Sequence, residues 1–393
     1  MATAERAFDV VLYGATGYTG RLVAAHLLKT YGVGGELKWA VAGRSAGKLG
    51  EVCAEIGAPA ALPRLLADAD DPASLAAMAK QASVIISTVG PYQLYGSPLV
   101  AACAAAGTDY VDLTGESNWI AAMIGAHEAA AKASGARLVF SCGFDSIPFD
   151  LGVWFAQAAA KARFGAYAPR VRGRVRGLKG GLSGGTLASG MATQAAAAKD
   201  PSIGALLANP FALTPGFTGP AQPDGDTPYE DKAAGSWVGP FMMAGINTKA
   251  VHRSNFLLGH SWGEGFQYDE MQMLAGPPDA SASGGMGGFN FGAGGLPKPG
   301  EGPSREERET GFYDILFIAE AGDGRTVRAA VKGDMDPGYG STAKILGEAA
   351  VCLARDVPRA KTVGGCWTPA AAMGDALIRR LEAHAGLTFT LED

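Results

Sequence analysis

The sequence predicts an α/β fold in which a doubly wound parallel sheet is joined to a second, mixed α+β domain. Three observations lead to this prediction. Short apolar runs alternate with helical stretches up to about residue 145, this alternation stops after Asp150, and 57 of the 393 residues are glycine. Strands and helices that alternate in this order are typical of a parallel sheet with helices on both faces. The high glycine content indicates a backbone that must adopt unusual conformations.

Five apolar runs in the first domain, which we place at residues 1–145, are predicted to be strands. They lie at 8–13, 39–42, 83–89, 110–113 and 137–141. The stretches between them carry apolar residues at helical spacing, which predicts intervening helices. The first strand, the glycine-rich turn that follows it and the first helix are the start of a Rossmann-type arrangement.

The second domain is placed at residues 146–335 and the C-terminal segment at 336–393. Two predicted antiparallel strands, at 312–319 and 325–332, flank the sequence Gly322-Asp323-Gly324, which is a hairpin turn signal. Helical patterning returns at 342–354, and a last amphipathic helix at 369–385 is expected to end the chain. We expect these C-terminal helices to return to the first domain.

Charge and cysteine content exclude several classes of protein. The formal net charge is −5 and the pI is about 5.6, which is not the basic footprint of a protein that binds nucleic acid. The five cysteines are widely spaced and form no CxxC motif, so the sequence predicts neither a disulfide framework nor a metal site. We find no signal peptide and no apolar stretch of ~18 residues, and we expect a cytoplasmic protein.

A glycine-rich loop joins the first predicted strand to the first helix. It reads Gly14-Ala15-Thr16-Gly17-Tyr18-Thr19-Gly20. At this place in a βαβ unit, backbone N–H groups and the positive end of the helix dipole face the pyrophosphate of a dinucleotide. We therefore predict that Gly14, Thr16, Gly17, Tyr18 and Thr19 bind a cofactor. A tight structural turn is the alternative interpretation.

The end of the second strand indicates which cofactor binds. The acidic residue that binds the ribose of NAD is normally ~20 residues beyond the glycines, and it is absent here. Arg44 and Ser45 stand in its place, with Lys48 one turn further on. Because a guanidinium group pairs well with phosphate, the sequence predicts NADP. The alternative for Arg44 is an ordinary solvated loop charge.

Two further loops follow predicted strands at the carboxyl edge of the sheet, where doubly wound folds bind ligands. The first contains Val89, Gly90, Pro91 and Tyr92, and we assign the first three to the cofactor. The Tyr92 phenol is the first candidate for a catalytic proton donor, and a packed ring with a satisfied hydroxyl is the alternative. The second loop contains Asp145, which would act as an acid if burial raised its pKa, or would cap the next helix.

Several segments are specific in combination, and they lie at 14–20, 42–45, 87–92, 107–116, 143–148, 183–186, 336–339 and 368–370. Together they resemble the saccharopine dehydrogenase-like oxidoreductases, in the branch that includes the mycobacterial trans-acting enoyl reductases. The resemblance covers nearly the whole chain. It implies an NADP-binding Rossmann domain completed by the C-terminal helices. It also implies an inserted α+β domain that covers the nicotinamide and mediates a homodimer.

Low charge in the second domain favours a hydrophobic substrate. Saccharopine carries several charges, whereas the stretches 237–246 and 271–274 are apolar and are followed by glycine-rich sequence around 283–302. We predict an NADPH-dependent reductase that transfers hydride to a C=C or C=O bond of an acyl, lipid or isoprenoid-like molecule. The alternatives are a saccharopine-type amino-acid reductase and a non-catalytic NADP-binding or lipid-surface protein.

Four arginines alternate with small residues: Arg170, Arg172, Arg174 and Arg176. If this segment is a strand, all four guanidinium groups lie on one face. Such a row is either a solvated sheet face or a contact for an anion. The anion would be the phosphopantetheine arm of a carrier-bound acyl chain, coenzyme A, or a lipid headgroup at a peripheral membrane contact.

Overall fold

Two sheets organise the chain in the computed structural model, which describes residues 6–181, 183–277, 289–290 and 300–392. The strands, in chain order, are β1 (Phe8–Tyr13), β2 (Trp39–Gly43), β3 (Arg64–Leu66), β4 (Ala82–Ser87), β5 (Asp109–Asp112), β6 (Arg137–Val139), β7 (Arg170–Gly181), β8 (Tyr229–Asp231), β9 (Ser236–Pro240), β10 (Gln267–Leu274), β11 (Phe289–Asn290), β12 (Phe312–Glu320), β13 (Thr326–Gly333), β14 (Gly365–Trp367) and β15 (Leu387–Glu392). The helices are α1 (Tyr18–Tyr31), α2 (Ala46–Glu55), α3 (Pro72–Ala79), α4 (Tyr92–Tyr95), α5 (Ser97–Ala106), α6 (Ser117–Ser134), α7 (Ile147–Phe164), α8 (Gly184–Lys199), α9 (Pro201–Ala208), α10 (Ala244–Leu257), α11 (Arg305–Glu309), α12 (Thr342–Arg355) and α13 (Pro369–His384). A π-helical turn spans Pro337–Ser341.

The first sheet is parallel throughout and has the order β14-β6-β5-β4-β1-β2-β3. Chain order reverses on either side of β1, so the predicted doubly wound fold is confirmed. Val10, Val11 and Leu12 of β1 are fully buried, as expected of a central strand covered by helices on both faces. The carboxyl ends of β1, β4, β5 and β6 therefore meet at one edge.

The second sheet is mixed and has the order β15-β13-β12-β7-β10-β9-β8. β7 pairs in parallel with β10 and with the short β11, and the other pairings are antiparallel. β12 and β13 form the predicted hairpin. Most of the glycine-rich stretch at 283–302 lies outside the described residues.

The C-terminal segment contributes to both sheets. β14 pairs with β6 of the first sheet, and β15 pairs with β13 of the second. The expectation that a helix ends the chain is therefore wrong. α13 stops at His384, and β15 follows because Leu387 and Phe389 are buried while Thr388 and Thr390 between them are exposed. We propose domain boundaries near residues 145 and 335, with the last segment shared.

The four arginines of β7 lie on a strand, as predicted, but their guanidinium groups already have carboxylate partners. Arg174 is fully buried and lies 2.8 Å from Asp231 and 2.7 Å from Asp269. The other pairs are Arg170 with Asp269, Arg172 with Glu320, and Arg176 with Asp314 and Glu392. The expectation of a solvated face or an anion contact is therefore wrong, because neighbouring strands neutralise the row. We call this row the arginine ladder.

Two further features bear on the predicted cellular context. All five cysteines are buried and free. In the part of the chain that the structure describes, no helix combines the length and the apolar character needed to cross a bilayer.

The arginine ladder generates a prediction about stability. Arg174→Ala should lower the free energy of unfolding by about 3–5 kcal/mol, because the buried carboxylates of Asp231 and Asp269 lose their main partner. Urea denaturation followed by circular dichroism measures this change. The control is Arg305→Ala, which removes an exposed pair with Glu309 and should change little. Equal effects of the two substitutions would contradict the structural role of the ladder.

Candidate cofactor and substrate site

Two positions of the glycine loop, Gly14 and Gly20, have no room for a side chain, whereas a third, Gly17, borders open space. Gly14 has φ +91°, and a Cβ there would lie within 2.7 Å of the side chains of Thr88 and Val89. A Cβ at Gly20 would lie 2.2 Å from the Gly14 carbonyl oxygen. A Cβ at Gly17 would meet only that oxygen, at 3.4 Å, and the N-terminus of α1 has no side-chain cap. The loop therefore fits a pyrophosphate at a free helix N-terminus.

The turn after β2 lies beside this loop. The Gly14 N–H donates to the carbonyl of Ala42 at 3.0 Å, which places the end of β2 against the glycine loop. The side chains of Arg44 and Lys48 are exposed. The Ser45 hydroxyl caps α2 by accepting the Lys48 N–H at 3.3 Å, and its own proton is free for a ligand. This turn presents two cations and a hydroxyl, which fits a 2′-phosphate.

A cavity of about 450 Å³ lies at the carboxyl edge of the first sheet. Its floor is formed by the loops after β1, β4, β5 and β6. Its roof is formed by the N-terminus of α8, residues 242–243, residues 300–301 and the π-helical turn. The predicted site residues that line it are Gly17, Tyr18, Thr19, Gly90, Pro91, Tyr92 and Asp145. The other predicted residues lie outside the lining: Gly14, Thr16 and Val89 in the adjoining loops, and Arg44, Ser45 and Lys48 at the turn after β2.

The Tyr92 hydroxyl is engaged by the protein itself. It donates to the carbonyl of Ser87 at 2.9 Å and accepts the N–H of Leu113 at 3.4 Å. The side chain is 5% exposed, and burial is the main cause that raises its pKa well above the usual value. These contacts hold the loop after β4 against β5 and leave the hydroxyl proton committed to the backbone.

The Asp145 carboxyl group, unlike the Tyr92 hydroxyl, is not engaged by other described residues of the protein. Within the described residues its carboxyl group has no hydrogen bond or ion pair, and it lines the cavity. Burial raises its pKa to about 6. It does not cap α7, whose N-cap position is Ser146 and which has no side-chain cap. The loop is held in place because the neighbouring Phe144 N–H donates to the Thr342 hydroxyl at 2.9 Å.

Two lining hydroxyls, those of Tyr339 and Thr186, are not among the site residues that the sequence analysis assigns. The Tyr339 hydroxyl accepts the N–H of Ser183 at 2.7 Å and shares a hydrogen bond with the Thr186 hydroxyl. Burial raises the Tyr339 pKa to about 12, and its ring packs edge-on against Tyr18 at 5.2 Å. Both residues lie in motifs that carry the family resemblance, at 183–186 and 336–339. The family resemblance at these two motifs was the sequence signal for both residues, although sequence alone does not place the two motifs together.

The described residues that line the cavity contribute carboxyl and hydroxyl groups but no cation. Among the described lining residues there is no Lys, Arg or His, and the ionisable carboxyl groups are Asp145 and Glu301. Most of the remaining lining is glycine or apolar, including Leu113, Phe144 and Met243. An anionic substrate group would therefore meet no opposite charge on these residues, whereas a neutral, apolar molecule fits them.

Comparisons with known proteins agree with this geometry. Residues 10–139 match the family model described as saccharopine dehydrogenase NADP binding domain. A putative trans-acting enoyl reductase of Mycobacterium tuberculosis, strain H37Rv, is 40% identical over 410 residues, which covers 98% of this chain and 97% of that protein. A trans-acting enoyl reductase of Mycobacterium bovis, strain BCG, is 39% identical over 412 residues, which covers 97% of each.

A solved structure supports the fold. Apo saccharopine dehydrogenase (L-Glu forming) from Saccharomyces cerevisiae matches with a TM-score of 0.55 at 13% identity, over 98% of this chain and 100% of that chain. The likeness to the mycobacterial relatives extends over nearly the full length, and the cofactor of the matched domain is NADP. The chain therefore belongs to the saccharopine dehydrogenase-like family and is an NADP-dependent oxidoreductase.

Proposed function

We propose that the protein reduces the C=C bond of an α,β-unsaturated, hydrophobic acyl substrate carried as a thioester. The observation that carries this proposal is the cavity lining, in which the described residues include no cation. A saccharopine-type substrate has several carboxylates, and burying them without partners would be costly. The names of the mycobacterial relatives, trans-acting enoyl reductases, favour the same chemistry.

The residues that would hold NADPH lie in three neighbouring segments: the N-terminus of α1, the turn after β2 and the loop after β4. The first-turn N–H groups of α1, beside Gly17, would bind the pyrophosphate. Arg44, Ser45 and Lys48 would bind the 2′-phosphate at the turn after β2. Val89, Gly90 and Pro91 would bound the nicotinamide half from the β4 side. When bound, this cofactor supplies hydride from the nicotinamide ring.

We assign the proton donor to Asp145 in preference to Tyr92. The Tyr92 proton is committed to the Ser87 carbonyl, whereas the Asp145 carboxyl faces the cavity and has no partner among the described residues. Reduction of a conjugated C=C bond needs one proton at the carbon next to the carbonyl. A carboxyl whose pKa is raised to about 6 is protonated in a useful fraction of molecules near neutral pH. Tyr92 then acts as a positioning residue for the loop.

The hydroxyl pair of Tyr339 and Thr186 is suited to orient the substrate carbonyl. The Ser183 N–H donates to the Tyr339 oxygen, and in the arrangement that we propose Tyr339 donates its own proton to the Thr186 oxygen. The Thr186 proton is then free to point into the cavity, where this residue is exposed. A hydrogen bond from Thr186 to the thioester carbonyl would stabilise the enolate that forms when hydride is added.

The role of Arg44 predicts a change in cofactor preference. Arg44→Ala should weaken NADPH binding by about 10- to 100-fold, because a charged hydrogen bond to phosphate contributes roughly 1.5–3 kcal/mol. NADH binding should change less than twofold, since NADH lacks the 2′-phosphate. Fluorescence titration measures both dissociation constants. The control is Lys80→Ala, an exposed cation at the amino edge of the sheet. An unchanged ratio of NADPH to NADH affinity would refute this assignment.

The role of Asp145 predicts a pH dependence. For a general acid, wild-type kcat should fall as the pH rises through about 6, because the protonated form is lost. Asp145→Asn should lower kcat by at least about 100-fold and abolish this dependence, while NADPH affinity stays within twofold. The assay follows NADPH oxidation with 2-enoyl pantetheine thioesters.

The matched control is Asp323→Asn, which removes an exposed carboxyl in the β12–β13 turn and should behave as wild type. If Asp145→Asn keeps wild-type kcat and the same pH profile, Asp145 is not the proton donor. If wild-type protein binds NADPH but oxidises it with no enoyl or keto thioester, the enzyme proposal fails in favour of a non-catalytic NADP-binding protein.

A further inference from the structure

A second cavity adjoins the reaction cavity. It has a volume of about 640 Å³ and is formed by the end of α9, the end of β9, the start of α10 and part of β10. Met242 lines both cavities. No residue of the proposed mechanism lines this second cavity.

One short segment forms the wall between the two spaces. β9 ends at Pro240 and α10 begins at Ala244, and the residues between them connect the two elements. Phe241 and Ala244 line the second cavity, whereas Met243 lines the reaction cavity. Met242 stands at the boundary and is 42% exposed. An unbranched, flexible thioether side chain at this position can adapt to an apolar chain that passes over it.

The acidic residues of the second cavity do not make it a cation site. Glu270 accepts hydrogen bonds from Tyr268 and Asn247, and burial raises its pKa well above the usual value. Asp269 is paired with Arg174 of the arginine ladder. Asp226 lies at the exposed rim. The other described residues that line the second cavity carry no charge, and they include Pro240 and Phe241.

The size of the reaction cavity requires additional space for a long substrate. Its 450 Å³ is near the lower end of the ~300–1,000 Å³ usual for small-molecule sites, and nicotinamide must share it with the reacting acyl group. We propose that Met242 determines chain-length specificity, with the hydrocarbon chain of the substrate passing over it from the reaction cavity into the second cavity. This inference rests on the proposed function.

The test measures binding, so that it does not depend on turnover. Butanoyl and decanoyl pantetheine, two saturated thioesters, are titrated by calorimetry into wild type, Met242→Glu and Met191→Glu. Glutamate keeps the length of methionine but places a charge on the path of the chain. Met191 is 70% exposed on α8 and lines neither cavity, so it is the matched control. A circular dichroism spectrum and a melting temperature equal to those of wild type confirm the folding of each variant.

We expect wild type and Met191→Glu to bind decanoyl pantetheine at least tenfold more tightly than butanoyl pantetheine. Met242→Glu should lose at least tenfold in decanoyl affinity and less than twofold in butanoyl affinity. Unchanged decanoyl binding by Met242→Glu, or equal weakening of both ligands, would overturn the inference.

The same variants, assayed for NADPH oxidation with the 2-enoyl thioesters of both lengths, separate the two proposals. If wild type oxidises NADPH and Met242→Glu does not change the preference for the longer thioester, the proposed function stands and this inference is overturned. Length-dependent binding that Met242→Glu abolishes, without oxidation of NADPH by wild type, keeps the inference as a binding site and overturns the proposed function.

Discussion

A single buried carboxylate, that of Glu116, connects the floor of the candidate-site cavity to its roof. Oε1 of Glu116 accepts the N–H of Tyr92 and the hydroxyl of Ser189, each at 2.8 Å, and Oε2 accepts the N–H of Gln93 at 2.8 Å. Tyr92 and Gln93 begin α4 at the carboxyl edge of the first sheet, whereas Ser189 belongs to α8, which covers the cavity. A second contact, from the Gln93 side chain to the Thr193 hydroxyl at 3.2 Å, follows the same path. Because a carboxylate with three donors cannot shift without leaving buried donors unpaired, the width of the cavity is set here.

Charged side chains are distributed unevenly around this cavity. Cations of the second sheet are neutralised on β7, away from the cavity, and the described cavity lining contains no cation. In such surroundings an unpaired carboxyl group holds its proton more tightly, which is the cause of the raised pKa of Asp145. The same low polarity favours an apolar substrate and strengthens a hydrogen bond from Thr186 to a developing negative charge. The proposed substrate class and the proposed proton donor therefore share one physical origin.

Local sequence was sufficient to predict the glycine loop and five of the seven strands of the first sheet, because strand, turn and helix follow one another within a few residues. It was not sufficient for β3 and β14, which have three residues each and exist because a neighbouring strand pairs with them. The arginine alternation predicted a strand correctly, but the carboxylates that neutralise it come from several distant strands. Tyr92 was the natural candidate for a proton donor by position, yet its hydroxyl partners are set by tertiary packing. Tyr339 and Thr186 meet only because the π-helical turn and α8 fold over the same edge.

The proposed reaction in this cavity is the addition of hydride to the C=C bond of a hydrophobic enoyl thioester. The most direct measurement follows the isotopes by mass spectrometry and NMR, using NADPH deuterated at the transferred position and 2-decenoyl pantetheine in ordinary water. For this reaction we expect decanoyl pantetheine with one deuterium on the carbon that was β to the carbonyl, and deuterium on the α carbon when unlabelled NADPH is used in heavy water. Deuterium on the carbonyl carbon, with an aldehyde or alcohol as the product, would contradict it.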